Sequence, residues 1–222
     1  MTEHLSSPLW ADRQQAGRAL ATVFAGDDRF ESDSSCIVGL PRGGVPVAAA
    51  MAQQLGRPLL TWSVRKIADP MWPEVALGAV APGGVVVWRN GGGAVWRATT
   101  AIRHGWLREQ QQELERRQQL YGDPAGRLLT GRHLVVVDDG VATGMTVKAA
   151  LLSLRRVGPA SLVLAVPVVD RVVARQLKQL VDHLLVLASV PNLVSVGEWY
   201  EQFAQLTDTE VRALLTSHNH DH

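Results

Sequence analysis

The chain has 222 residues, 46% of them hydrophobic, a formal net charge of +1 and a single cysteine. That is apolar material for one substantial core with appendages, or at most two small domains. Near-neutral charge gives no general attraction to nucleic acid or membrane, lone Cys36 excludes an internal disulfide, and no apolar run is long enough to span a bilayer.

Residues 1–10 hold neither a basic stretch nor an apolar one, so no secretory signal peptide is expected, and a reducing cytoplasm is the expected compartment. Ala16, Ala19, Leu20 and Val23 recur at helical spacing, with Asp12 as cap, until Gly26-Asp27-Asp28 ends the pattern. Ser35-Cys36-Ile37-Val38-Gly39-Leu40 reads as a buried strand, broken by Pro41-Arg42-Gly43-Gly44 and followed by a helix over 45–55. The two glycines let backbone amides approach an anion, and Arg42 can grip phosphate oxygens with two parallel bonds. A tight turn with a surface arginine is the plainer alternative. Residues 59–64 form the next strand, ending in Arg65-Lys66. A cation pair there lies where an open α/β sheet takes its ligands, and a solvated charge pair is the alternative.

Residues 67–74, with Pro70 and Pro73, read as loop. Residues 75–80 and 85–88 read as a hairpin turned at Ala81-Pro82-Gly83-Gly84. Residues 89–96 contain Gly91-Gly92-Gly93 and read as mobile, so about 67–98 form an insert. A long polar helix with one solvated face is expected over 99–120, stopped by Gly122-Asp123-Pro124.

The densest signal comes next. Leu134-Val135-Val136-Val137 is the apolar run of a strand buried on both faces, and Asp138-Asp139 stand at its end. Gly140-Val141-Ala142-Thr143-Gly144 leads into a helix over 147–157, with Thr143 or Thr146 as cap. The first amides of a helix have no internal partner, and a glycine-rich entry shapes them into a nest for phosphate. Carboxylates repel phosphate but accept from hydroxyls, so the pair suits a sugar diol on the same ligand. No Gly-Lys-[Ser/Thr] unit is present, so this is not a triphosphate loop. An ordinary strand-to-helix turn accounts for neither the acid pair nor Thr143-Gly144-Met145-Thr146.

A strand over 162–166 closed by Pro167, a helix over about 171–180 and a strand over 184–187 follow. The alternation predicts an α/β fold with a doubly wound parallel sheet, an inserted hairpin and packed terminal segments. Trp199, Tyr200 and Phe203 can stack on a planar base or clasp the N-terminal helix. Thr207-Asp208-Thr209-Glu210 is a capping box. His218, His220 and His222 alternate, and a frayed end is expected over a metal chelate. Residues 10–217 are thus expected as one domain, and 218–222 as a disordered tail.

The run from Leu134 to Thr146 resembles the phosphoribosyl pyrophosphate (PRPP) signature of type I phosphoribosyltransferases. The resemblance covers nearly the whole chain. It includes Asp12-Arg13 with Ala16-Gly17, Leu40-Pro41-Arg42-Gly43-Gly44-Val45-Pro46-Val47-Ala48, Arg65-Lys66, Pro73-Glu74 and Leu77-Gly78-Ala79-Val80. Gly158-Pro159-Ala160 and Val196-Gly197 with Trp199-Tyr200 and Phe203 complete it, and the chain is similar to a group of stand-alone bacterial phosphoribosyltransferases.

The resemblance implies transfer of a 5-phosphoribosyl group from PRPP to a small nitrogenous acceptor, with release of pyrophosphate and with Mg2+ as cofactor. By the same implication Asp138 and Asp139 hold the ribose hydroxyls. Gly140, Val141, Ala142, Thr143, Gly144, Met145 and Thr146 surround the 5'-phosphate. Arg42, Gly43, Gly44, Arg65 and Lys66 receive the pyrophosphate, Lys66 joining the acid pair as catalytic. Mg2+ then bridges ligand oxygens near Asp138 and Asp139 without direct protein ligands. The insert serves as a lid that keeps water from an oxocarbenium-like state. Met71-Trp72 and the Gly91-Gly92-Gly93 run depart from the group's pattern. Ala142 stands where transferases of 6-oxopurines carry an acid, which argues against that chemistry. The rival is a non-catalytic PRPP or nucleotide sensor on the same fold, favoured by the altered lid. Seven tryptophans are compatible with a homodimer contact.

Overall fold

The central strand forms where the apolar run predicts it, because its alternating side chains find a dry layer on each face. This computed structural model describes residues 8–25, 35–91 and 93–220. Gly26-Asp27-Asp28, Gly92 and His222 lie outside the described residues, as do the side chains of Pro73, Glu74 and His220. A five-stranded parallel sheet runs in the order β2 (Leu59–Thr61), β1 (Ser35–Gly39), β6 (His133–Val137), β7 (Ser161–Asp170), β8 (His183–Val190). Cys36, Val38, Leu134, Val136, Leu162 and Leu164 face one layer, built on α5 (Met145–Val157) and α6 (Arg171–Leu177). Ile37, Val135, Val137, Val163 and Ala165 face the other, built on α1 (Arg13–Ala25), α2 (Gly44–Leu55) and α7 (Asp208–His220). The sheet is therefore wound on both faces, as its uninterrupted apolar strands require.

Close helix packing fixes α1 on α2. A Cβ built at Gly17 would overlap the Val47 carbonyl oxygen and lie 2.9 Å from the Ala50 Cβ. Since the first obstacle is backbone, Gly17→Ala is expected to cost about 1–3 kcal/mol of stability. A denaturant melt reads this directly, and an unchanged midpoint would show that the helices part freely.

The insert is more ordered than its composition suggests. β3 (Arg65–Asp69), β4 (Trp72–Ala81) and β5 (Val85–Trp88) form an antiparallel sheet. Residues 67–74 are thus largely strand, not loop, with a bulge near Ala68 absorbing the irregularity. Ile67, Leu77 and Val80 pack with Ala101 and Leu114 from α3 (Ala94–Arg103) and α4 (Trp106–Tyr121). A polar bridge ties this sheet to the main core: the Trp62 indole donates to Ser153 Oγ at 3.1 Å, and Ser153 donates to the Pro82 carbonyl at 2.7 Å. The turn projects, leaving Met71 80% and Trp72 69% exposed.

Other boundaries move for local reasons. β2 stops at Thr61 because Asp123 draws the chain aside, accepting from Thr61 Oγ1 at 2.7 Å and from the Ser63 amide at 2.6 Å. Arg65 and Lys66 consequently open β3 instead of closing β2. The expected mobile stretch ends at Ala94, where α3 begins, and the expected long helix splits at His104 and Gly105, whose φ is +76°. Pro167 does not end β7, because β6 has already stopped at Val137 and the position behaves as an edge. Nor does the chain fray at His218. Helix α7 continues to His220, and His218 is buried with its Nε2 2.9 Å from the Arg57 carbonyl.

Candidate active site

Asp138 and Asp139 follow directly on β6, at the carboxyl edge of the sheet. The Asp139 amide donates to Asp138 Oδ1 at 3.0 Å, and Arg13 Nε donates to Asp139 Oδ2 at 2.9 Å. Both partners of that ion pair are largely shielded, with side chains 11% and 14% exposed. Burial raises both carboxyls, and repulsion from Asp139 drives Asp138 well above the ordinary range. For Asp139 the Arg13 guanidinium opposes that rise without cancelling it.

The Pro41-Arg42-Gly43-Gly44 turn lies against this pair. A Cβ at Gly43 would overlap Asp139 Oδ2, and one at Gly44 would come within 2.6 Å of the Val137 carbonyl oxygen and 2.9 Å of Asp138 Cα. Both glycines therefore make room for the acids themselves. Arg42 reaches outward, its Nη1 3.5 Å from Asp208 Oδ1.

On the other side, the expected phosphate loop is partly committed to the fold. The Val141 amide donates to the Val168 carbonyl at 2.9 Å and its carbonyl accepts from Asp170. That amide is bound into the sheet edge, so Val141 drops out of the set of phosphate donors. Gly140 is pressed by Val196, 2.5 Å from its would-be Cβ. Gly144, at φ +71°, caps α5 with no side-chain hydrogen bond, so neither Thr143 nor Thr146 is the cap. Among the described residues no side chain bonds the first amides of α5, at Met145, Thr146 and Val147, which a helix leaves without internal partners. Thr143 is exposed, while Ala142, Met145 and Thr146 are half-buried.

The basic pair divides. Arg65 is half-buried and its Nε donates to Gln110 Oε1 at 3.0 Å. Its pKa is lowered by burial, then by the nearby charge of Arg117, with Arg42 contributing in the same direction. Lys66 is exposed, and no hydrogen bond or ion pair among the described residues ties it to Asp138 or Asp139.

The terminal aromatics form a clasp. Trp10 and Tyr200 pack at 5.6 Å between centroids and form a backbone bridge, and Phe203 lies 3.8 Å from the Arg13 guanidinium carbon. The Tyr200 hydroxyl donates to the Asp139 carbonyl at 2.6 Å, and burial followed by the Asp139 charge keeps the phenol protonated. The same segment thus grips the N-terminal helix and the acid pair together.

Residues 13–183 match the family model described as a phosphoribosyl transferase domain. The chain belongs to that family. A Mycobacterium tuberculosis protein, provisionally named a phosphoribosyl transferase in strains CDC 1551 and H37Rv, is 39% identical over 215 residues, 96% of this chain. The chain spans about half the length of those curated relatives, 48%. The crystal structure of TT1426 from Thermus thermophilus is 34% identical, with a TM-score of 0.73 over 94% of this chain and 98% of that one. AQ2163 from Aquifex aeolicus shares the fold at 12% identity, with a TM-score of 0.52 over 83% and 78% of the two chains.

Within this phosphoribosyl transferase domain, the sequence reading missed the role of Arg13, which stands 126 positions from Asp139. It also passed over Arg116 and Arg117 of α4, read as part of a solvated face. The signal available for Arg13 was its place in the Asp12-Arg13 motif. For α4 the even spread of charge gives no such clue, because an arginine facing solvent and one facing a distant loop have the same local pattern.

Proposed function

We propose that this chain transfers a 5-phosphoribosyl group from PRPP to a small nitrogenous acceptor. The observation that carries the reading is the acid pair wedged between two loops, one cationic and one leading into a helix start with no side-chain cap bond. Such a site suits a sugar with phosphate at one end and pyrophosphate at the other. Asp138 and Asp139 accept from the ribose hydroxyls. Their charge favours the positive charge that develops at C1 as the pyrophosphate bond lengthens. The amides of Met145, Thr146 and Val147, with the Thr143 and Thr146 hydroxyls, take the 5'-phosphate. Arg42 and Arg65 receive the departing pyrophosphate, with Lys66 reaching it from β3. Arg13 holds Asp139 in orientation, and Tyr200 fixes the backbone behind it.

Mg2+ fits this site, since two adjacent carboxyls share a single guanidinium partner, Arg13, and a cation beside them would favour their ionised forms. Bound beside Asp138 and Asp139, it would supply positive charge against the departing pyrophosphate. Among the described residues no cluster of three or more acidic, histidine or cysteine side chains is placed to hold a metal by itself. No helix among the described residues is long and apolar enough to cross a membrane. A cytoplasmic setting accords with the single buried Cys36, and a homodimer with the exposure of Trp72 and Trp96.

The test is pyrophosphate release from PRPP and Mg2+ across a panel of pyrimidine, purine and amine acceptors. Release with one acceptor class supports transfer. The sensor reading is favoured by the lid turn, whose Met71 and Trp72 point to solvent. Tight PRPP binding with no release for any acceptor selects it.

A further inference from the structure

Four guanidinium groups gather beside the Pro41-Arg42-Gly43-Gly44 turn, and among the described residues two carboxylates, Glu113 and Asp208, form ion pairs with them. Arg116 bonds Glu113 at 2.7 Å and Asp208 at 2.8 Å, Arg117 bonds Glu113 at 2.8 Å, and Arg42 reaches Asp208 at 3.5 Å. Arg65 donates to a neutral glutamine rather than a carboxylate, close enough to Arg117 and Arg42 to feel their charge. Arg117 is 8% exposed and Arg65 half-buried, while Arg116 stands at the rim with its side chain 49% exposed. Asp208 stands in the middle, also accepting from the Tyr121 hydroxyl at 2.5 Å. Two guanidinium groups and a phenol around one carboxylate offer the donor set that a phosphate oxygen would use.

We propose that Arg116 and Arg117 of α4 join Arg42 and Arg65 in holding the pyrophosphate end of the donor, and that Asp208 is the carboxylate this end displaces. The inference rests on the PRPP reading above. Displacement is local. Asp208 is the first residue of α7, and its bonds to Arg116 and Tyr121 tie that turn to α4, so their loss loosens the turn while the Thr207–Glu210 capping box, with bonds of 2.7 Å and 3.2 Å, keeps it helical. The Asp208 carboxyl sits at about 2, held down by the Tyr121 and Arg116 hydrogen bonds, so it remains a charged competitor at neutral pH. Pyrophosphate prevails because it carries more charge and more acceptor oxygens to the same fork-shaped donors. The polar helix expected to present a solvated face, with the start of α7, thereby becomes the outer wall of the leaving-group site.

The test uses inorganic pyrophosphate with Mg2+ as probe, by titration calorimetry and hydrogen exchange on the full chain. In the wild type, amides 208–212 are expected to exchange faster once pyrophosphate is bound. Asp208→Asn is expected to bind pyrophosphate up to about fivefold more tightly, and Arg116→Gln up to about fivefold more weakly, the scale of one partly exposed charge pair. If Asp208→Asn does not fold, the exchange experiment on the wild type decides alone. Pyrophosphate binding with unchanged exchange at 208–212 overturns the inference, as does unchanged affinity in both variants. Failure of the wild type to bind PRPP itself overturns the donor reading instead.

Discussion

Asp139→Asn is expected to lower turnover of the phosphoribosyl donor by about two to three orders of magnitude while the fold is kept. The asparagine retains size and one acceptor but loses the charge proposed to favour a developing cation at C1. Arg13 keeps its bond to the Ala204 carbonyl at 3.0 Å and its place over Phe203, so it is not left stranded. Steady-state pyrophosphate release measures the loss, and circular dichroism checks the fold. Turnover within a factor of about ten of the wild type would remove Asp139 from the chemistry.

Its neighbour separates chemistry from stability. Asp138 is raised by burial and by Asp139, so the folded chain holds this proton more tightly than the unfolded one. Between the ordinary carboxylate value and the raised one, the folded state binds more protons, and stability falls as pH rises. Below that window both states are protonated and the penalty vanishes. Asp138→Asn removes the penalty, and its side-chain oxygen can still accept from the Asp139 amide. The variant should therefore melt like the wild type in acid and higher at neutral pH, by about 2–4 °C for each kcal/mol recovered. Turnover should fall as for Asp139→Asn. A variant that melts lower at neutral pH would show that the acid pair stabilises the fold.

The second large effect is expected from the smallest change. Gly43→Ala places a methyl on top of Asp139 Oδ2 and 2.7 Å from its Cγ. Gly43 has φ −61° and ψ −35°, so alanine is acceptable to the backbone and the clash falls wholly on the acid. A side-chain end can swing away at modest cost, but Asp139 then leaves both Arg13 and the position proposed for the ribose. We expect a turnover loss close to that of Asp139→Asn, with a stability change of about 1–3 kcal/mol. Gly44→Ala differs in kind, because its methyl meets the Val137 carbonyl and Asp138 Cα, which are backbone and cannot move independently. There the fold should suffer first. Equal turnover for Gly43→Ala and wild type would mean the acid has a second productive rotamer.

Much of this architecture could be read in advance because it depends on neighbours close in sequence. Leu134 to Val137 alternate between two apolar layers, which forces a strand buried on both faces. Thr207 and Glu210 close their capping box within a single turn. The hairpin turned at Pro82-Gly83-Gly84 follows from positive φ at both glycines, +73° and +69°. The insert's first strands were harder to see, because prolines and charges at 67–74 mask a pairing that becomes favourable only once Leu77 and Val80 have a core to enter. Helix α7 likewise keeps its last turns because His218 finds the Arg57 carbonyl, a partner 161 positions away.

Order along the chain dictated the sheet, its winding and the acid pair at the edge, since backbone geometry, periodicity and glycine content act over a few residues. Folding in three dimensions decided who stands beside those acids. It brought Arg13 to Asp139, turned two glycines into space for carboxylates, took the Val141 amide into the sheet, and set Arg116 and Arg117 behind Arg42. Charge and hydrogen-bond partners act through space between elements far apart in the chain, and no local pattern encodes that distance.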